Sequence, residues 1–288
     1  MFPWPIGLLA DRAGRFSPLR ATVFALLLAP GLYLVWRLAA GQLGPRPITE
    51  TIHDTGLWAI RLLLVSLAVT PLRQLLRWPA LITVRRMIGV AAFAYAAAHL
   101  GSYIVDQGFI LLTVASEIAR RFYLTIGAAA LLGLGALAAT STDRMLRRLG
   151  GKRWRRLHRL AYAIGIIAVV HYFLQSKLNI AEPTAMAGLL AWLLAYRLLP
   201  DASGRPLRRV AEVAALSLAV GVLSLGGELA YYWLAFHADP LRLLAASVNW
   251  HAGLRPGWIV LAAGVAVTLA AALRATLVPT RAAVPQPA

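Results

Sequence analysis

Cysteine is absent from the 288 residues. That absence excludes disulfides, thiolate metal sites, iron–sulfur clusters and the C-x-x-C-H attachment of a c-type haem. Acidic residues are scarce as well. Only 11 Asp and Glu stand against 29 Lys and Arg, a formal charge of +18, and charged residues together make up 14% of the chain. In a soluble chain such an excess would point to nucleic acid. Here the basic residues sit in the connections between apolar runs and not along one polar face, so no nucleic-acid partner is expected. Also missing is a G-x-G-x-x-G between a strand and a helix. Gly127, Gly133 and Gly135 lie inside an apolar run, where small residues permit close helix packing, so a Rossmann-type dinucleotide site is not expected. The first twenty residues lack a proper apolar core and a small-residue cleavage site, and no removable signal peptide is expected. No connection is long enough to house a separate soluble domain.

What is present is apolar. Hydrophobic residues make up 60% of the chain and the mean hydropathy is +0.69, far from a soluble globular composition. Apolar stretches recur near 21–40, 57–76, 87–105, 122–140, 158–175, 184–199, 211–236 and 258–277. Each approaches the roughly 20 residues that cross a hydrocarbon core, 184–199 being the shortest. Eight spans are expected, making an all-α polytopic transmembrane helix bundle. The stretch 109–121, FILLTVASEIARR, is amphipathic and too short to span, so it is expected on the outer surface.

Basic residues alternate in density from one connection to the next. They are dense at Arg73, Arg77, Arg85 and Arg86, at eight positions between 144 and 159, and at Arg197, Arg205, Arg208 and Arg209. They are sparse at Arg46, at Arg120 and Arg121, at Lys177, and at Arg242 and Arg255. With Arg12, Arg15 and Arg20 ahead of the first span, the positive-inside rule puts both termini in the cytoplasm.

Topology gives the histidines depths. The third span enters after Arg85 and Arg86, so His99 lies about 20 Å along it, and His171 lies about as far along the fifth span. His158 falls at the cytoplasmic edge. Two imidazoles at one depth on different helices can supply both axial ligands of a haem. Taken singly, each histidine is equally well read as an interhelical hydrogen-bonding group or as part of a proton or solute path.

Four strings, TGLWAIRLLLVSLAVTPLR (55–73), RRMIGVAAFAYAAAHLGSYIVD (85–106), TSTDRMLRRLGGKRWRRLHRLAY (140–162) and HYFLQSK (171–177), occur in one order. From Arg20 to about Pro200 the chain thereby resembles the MsrQ (YedZ) family, haem-binding membrane subunits of the bacterial periplasmic methionine-sulfoxide reductase system, themselves ferric-reductase-like transmembrane proteins. The resemblance implies a six-helix haem-binding core in a multi-pass protein of the bacterial inner membrane; the two extra C-terminal helices expected from the apolar runs lie beyond the family's usual end, and the resemblance says nothing about them. It implies one or two b-type haems, with His99, His158 and His171 at the family's iron-ligand positions, and it raises FMN as a further cofactor. It also implies electron transfer from a cytosolic flavin reductase to a periplasmic molybdenum methionine-sulfoxide reductase. The domains expected are a cytoplasmic segment 1–20, a haem-binding transmembrane domain 21–200 and an extension 201–288.

Other polar residues have competing readings. Arg61 either snorkels to the headgroups or pairs with a haem propionate. Arg85 and Arg86 stand where an inner histidine would be needed for a second bis-histidine haem. They either hold an inner propionate or a flavin phosphate, or serve topology alone. The basic loop 141–159 would attract an acidic flavoprotein or a flavin phosphate. His53 is expected as surface structure in the first outer loop, Glu228 as facing the aqueous interface beside Tyr231, Tyr232 and Trp233, and His237 and His251 in the last outer loop. Three alternatives to the family function stay open: a quinol-linked cytochrome b, a metal-ion-reducing cytochrome b, and a non-redox small-solute transporter.

Overall fold

A computed structural model describes residues 9–10, 14–176, 178–200, 205–249 and 253–277; His251 lies outside the described residues. Among them there is no β-strand, and the chain runs through helices α1 (Pro18–Ala39), α2 (Pro47–Leu75), α3 (Arg85–Asp106), α4 (Leu111–Arg120), α5 (Phe122–Ala139), α6 (Asp143–His158) and α7 (Leu160–Gln175). It continues with α8 (Ala181–Tyr196), α9 (Pro206–Phe236), α10 (Pro240–Ser247) and α11 (Pro256–Leu277). Five of these helices open on proline, whose missing N–H and fixed φ suit the first helical position.

The protein is a multi-pass membrane protein. Seven helical segments are long and apolar enough to cross a bilayer, α6 and α7 counting together as one. The sixteen-residue α8, expected from sequence as the sixth of eight spans, falls short of that length. The large apolar side chains that stay exposed, such as Leu26, Leu32 and Val35 on α1, are what a lipid-facing helix surface requires.

The chain divides into two compact units, 1–69 with 80–177, and 70–79 with 178–288. In the first unit α2 supplies most of the core, with Leu57, Ala59, Ile60, Leu62, Leu63, Leu64 and Leu67 all buried. Helix α5 packs against both α3 and α7, and α4 lies along α5. The short amphipathic α4 matches the expectation of a non-spanning segment. Helix α2 begins ten residues before the apolar run does, so His53 sits within it and not in a loop.

Pro30 interrupts the hydrogen-bond ladder of α1, and Tyr95 of α3 fills the break. Its hydroxyl accepts from the Gly31 amide at 2.7 Å and donates to the Leu27 carbonyl at 2.9 Å. Those two backbone groups would otherwise bond each other, so the hydroxyl is inserted into the helix ladder itself.

The second unit packs α8, α9 and α11 together through small residues. Gly188 lies against Ser224 and Val260, Gly257 against Leu225, and Gly264 against Ser217. Such contacts let helix backbones approach closely. Glu228 is 1% exposed, with Oε1 2.9 Å from Nη2 of Arg255. This corrects the expectation that it faces the aqueous interface, and the reason is Arg255, which reaches back to it from the start of α11 and also lies over the Tyr232 ring. His237 ends α9 with φ 52°, a left-handed cap conformation.

Candidate functional site

His99 projects from α3 toward the N-terminal part of α2. Its Nδ1 lies 2.8 Å from the carbonyl oxygen of Ile52. The ring rests on Gly56, where a Cβ would come within 2.9 Å of Nδ1 and 3.1 Å of Cε1. His171 of α7 repeats the arrangement on α5, with Nδ1 2.7 Å from the Tyr123 carbonyl and the ring on Gly127. In both cases the glycine comes four residues after the accepting carbonyl. A single helical turn therefore provides a hydrogen-bond acceptor and, directly beside it, a surface with no side chain.

The carbonyls settle the tautomers. A carbonyl oxygen can only accept, so each Nδ1 carries the proton and donates, and each Nε2 keeps its lone pair. This is how histidine is prepared for metal ligation, with the second nitrogen fixing tautomer and ring orientation. The ring centroids of His99 and His171 are 6.3 Å apart, with planes at 84°. Imidazole nitrogens bind a metal at about 2.0–2.1 Å, and each sits about 1.1 Å from its own ring centre, so one ion between two such rings separates their centroids by about 6 Å. The observed separation of 6.3 Å matches that spacing. No group of three or more His, Cys, Asp or Glu that could hold a metal ion occurs among the described residues.

The structure brings His99 and His171 together, with His53 within electrostatic reach of His99, and places His158, Arg85 and Arg86 in a separate cluster. His158 ends α6, stacked on Trp154 with centroids 3.9 Å apart, and its Nε2 is 3.2 Å from the Thr140 hydroxyl. Trp154 donates to the Thr140 carbonyl at 2.8 Å, which ties this corner to the end of α5. Arg85 and Arg86 lie within electrostatic reach of His158. Arg86 is held by Asp143 at 2.6 Å and by the Ser141 carbonyl at 3.3 Å, while the Arg85 carbonyl accepts from Ser66 at 3.5 Å. Arg61 lies over the Trp58 ring at 5.2 Å. His53 is half exposed, near Asp54 and edge-on to Tyr172.

Gly56, Ile52 and Tyr123 escaped the sequence reading. The carbonyls of Ile52 and Tyr123 leave no trace in residue type, but a glycine on each neighbouring helix, four residues past the acceptor, is a signal that could have been used. Around the second seat, Thr125 donates to the Ile118 carbonyl at 2.6 Å, and Arg121 pairs with Glu117 and donates to the Tyr123 hydroxyl at 3.1 Å. Helix α4 is therefore strapped to the turn that holds His171.

Comparison with known proteins identifies the family. Residues 55–169 match the family described as ferric reductase like transmembrane component. The chain is 45% identical over 191 residues to the protein-methionine-sulfoxide reductase heme-binding subunit MsrQ of Rhodospirillum rubrum, covering 66% of this chain and 89% of that one. It is 45% identical over 180 residues to the subunit of the same name from Xanthomonas axonopodis pv. citri, covering 62% and 82%. Against that of Xanthomonas campestris pv. campestris it is 44% identical over 193 residues, covering 65% and 88%. No solved structure matches the chain. The seated histidine pair, the multi-pass helical architecture and the extent of identity lead to one assignment: the chain belongs to the MsrQ family.

Proposed function

We propose that this chain is a haem b electron-transfer subunit of the bacterial inner membrane, with His99 and His171 as the axial ligands of one low-spin haem. The observation that carries the reading is the pair of Nδ1 donations to backbone carbonyls, which leave two Nε2 lone pairs for one ion between rings 6.3 Å apart. Haem, when bound, supplies a one-electron iron couple. The chain's own part is to fix two neutral imidazoles, to surround them with apolar side chains and to compensate charge. Arg61 is the residue of α2 suited to a propionate, since a guanidinium binds carboxylate with two parallel hydrogen bonds.

With Arg85, Arg86 and the basic loop 141–159 on the cytoplasmic side, the His99 and His171 pair serves the periplasmic side. His158, Arg85 and Arg86 gather at the opposite end, where electrons enter. A cytosolic flavin reductase is the donor and a periplasmic molybdenum methionine-sulfoxide reductase the acceptor. The end cluster suits an FMN phosphate or the propionate of a second haem, both anions that Arg85 would attract. A proton-relaying transporter fits less well, because a relay needs histidines free to change tautomer, and both Nδ1 atoms are committed to carbonyls. Residues 201–288 are peripheral to electron transfer.

Anaerobic titration tests the proposal. Purified protein reduced by the flavin reductase should show a reduced b-type spectrum, and addition of the oxidised molybdenum reductase should reverse it. Reduction by quinol alone, with no response to the flavin reductase, would replace this donor with a quinol-linked scheme.

A further inference from the structure

Helix α6 carries a dense array of cations that the electron-transfer reading does not use. It is two half-helices, because Gly150, at φ 72° and ψ 151°, breaks the helical path between residues 143–149 and 151–158. Met145, Leu146, Leu149, Trp154 and Leu157 are partly buried, whereas Arg147, Arg148, Lys152, Arg153 and Arg156 are exposed. Asp143 is the one acidic residue between 140 and 160, and Arg86 already holds it at 2.6 Å. The exposed cations therefore have no acidic residue on their own loop to neutralise them.

The fold also limits what can reach them. Helix α5 ends at Ala139 and α7 begins at Leu160, and both belong to membrane-crossing segments. Each half-helix is about 10 Å long at 1.5 Å per residue, so the loop cannot move far from the bilayer edge. A headgroup layer is about 5–8 Å deep on each side of the hydrocarbon core. Trp154, bonded to Thr140 at the end of α5, pins the second half-helix at that level. An arginine reaching outward from either half-helix meets lipid phosphate before it meets a soluble protein.

We propose that the two half-helices of α6 form a binding site for anionic phospholipid headgroups in the adjoining leaflet, with Arg147, Arg148, Lys152, Arg153 and Arg156 as its phosphate contacts. Guanidinium groups hold phosphate oxygens with paired hydrogen bonds, and basic residues at a membrane surface attract anionic lipid cumulatively. This assignment goes beyond the electron-transfer reading and stands on membrane topology, whatever the donor.

The test uses the full-length protein in nanodiscs of phosphatidylglycerol mixed with phosphatidylcholine, with retained lipid counted by native mass spectrometry. Wild type should retain phosphatidylglycerol in preference to phosphatidylcholine. The combined variant Arg147→Gln, Arg148→Gln, Arg153→Gln and Arg156→Gln should lose that preference by well over tenfold, at about fivefold per residue. The same four positions changed to Lys should keep most of it, which separates loss of charge from loss of folding. Equal phosphatidylglycerol retention by wild type and the glutamine variant would overturn the proposal. So would a wild type with no lipid preference that instead captures an acidic flavoprotein in pure phosphatidylcholine discs.

Discussion

Gly127 lies so close beneath His171 that a methyl group in place of its hydrogen would stand 2.7 Å from Cε1 and 2.8 Å from Nδ1 of the ring. Real side chains do not make such contacts, so the imidazole would have to tilt away and lose the Tyr123 carbonyl. Gly56 stands in the same relation to His99. Gly127→Ala and Gly56→Ala should each lower haem content or replace the low-spin spectrum with a high-spin one. Gly133→Ala is the control, since its neighbour is the flexible end of Ile164. Equal haem content and identical spectra in all three variants would show that the glycines seat nothing.

Tyr95→Phe removes the hydroxyl that bridges the break in α1. The Gly31 amide and the Leu27 carbonyl would lose their shared partner, at a cost of about 1–3 kcal/mol if they stay apart. Thermal unfolding in detergent should show a lower Tm, while the haem spectrum stays that of wild type. An unchanged Tm would mean that α1 closes its own ladder across Pro30.

The pair formed by Glu228 and Arg255 predicts an asymmetry. Arg255→Ala leaves a carboxylate at 1% exposure without its cation, whereas Glu228→Gln leaves a neutral amide beside a guanidinium that is 26% exposed. The alanine variant should be the less stable of the two, by about 1–3 kcal/mol, because a buried charge without a partner keeps its full desolvation cost. Equal melting temperatures would contradict the burial of this charge.

His158→Ala should leave the outer haem spectrum intact, since His158 is engaged by Trp154 and Thr140 at the other end of the bundle. Slower reduction by the flavin reductase, with an unchanged oxidised spectrum, is the expected result. Loss of all haem in protein that still inserts would move His158 into the outer site.

Much of this architecture is legible from spacing alone. The shared depth of His99 and His171 follows from counting along two spans that enter from one side, and α4 follows from its amphipathic period. Three features are not legible, for physical reasons. The Ile52 and Tyr123 acceptors are backbone atoms, which every residue possesses. The burial of Glu228 depends on Arg255, twenty-seven positions later in the chain, and hydropathy within one span carries no sign of it. The helicity of residues 47–56 was hidden by their polarity, because a window tuned to lipid begins where the apolar run begins.

The most direct measurement is the visible spectrum of the oxidised and dithionite-reduced protein, recorded for wild type and for His171→Ala at matched membrane insertion. Wild type should show the Soret and sharp α bands of a low-spin bis-histidine b haem. His171→Ala should lose that low-spin spectrum while the fold, followed by circular dichroism, stays helical. An unaltered low-spin spectrum at full haem content in the His171→Ala protein would contradict the ligand pair on which this account rests.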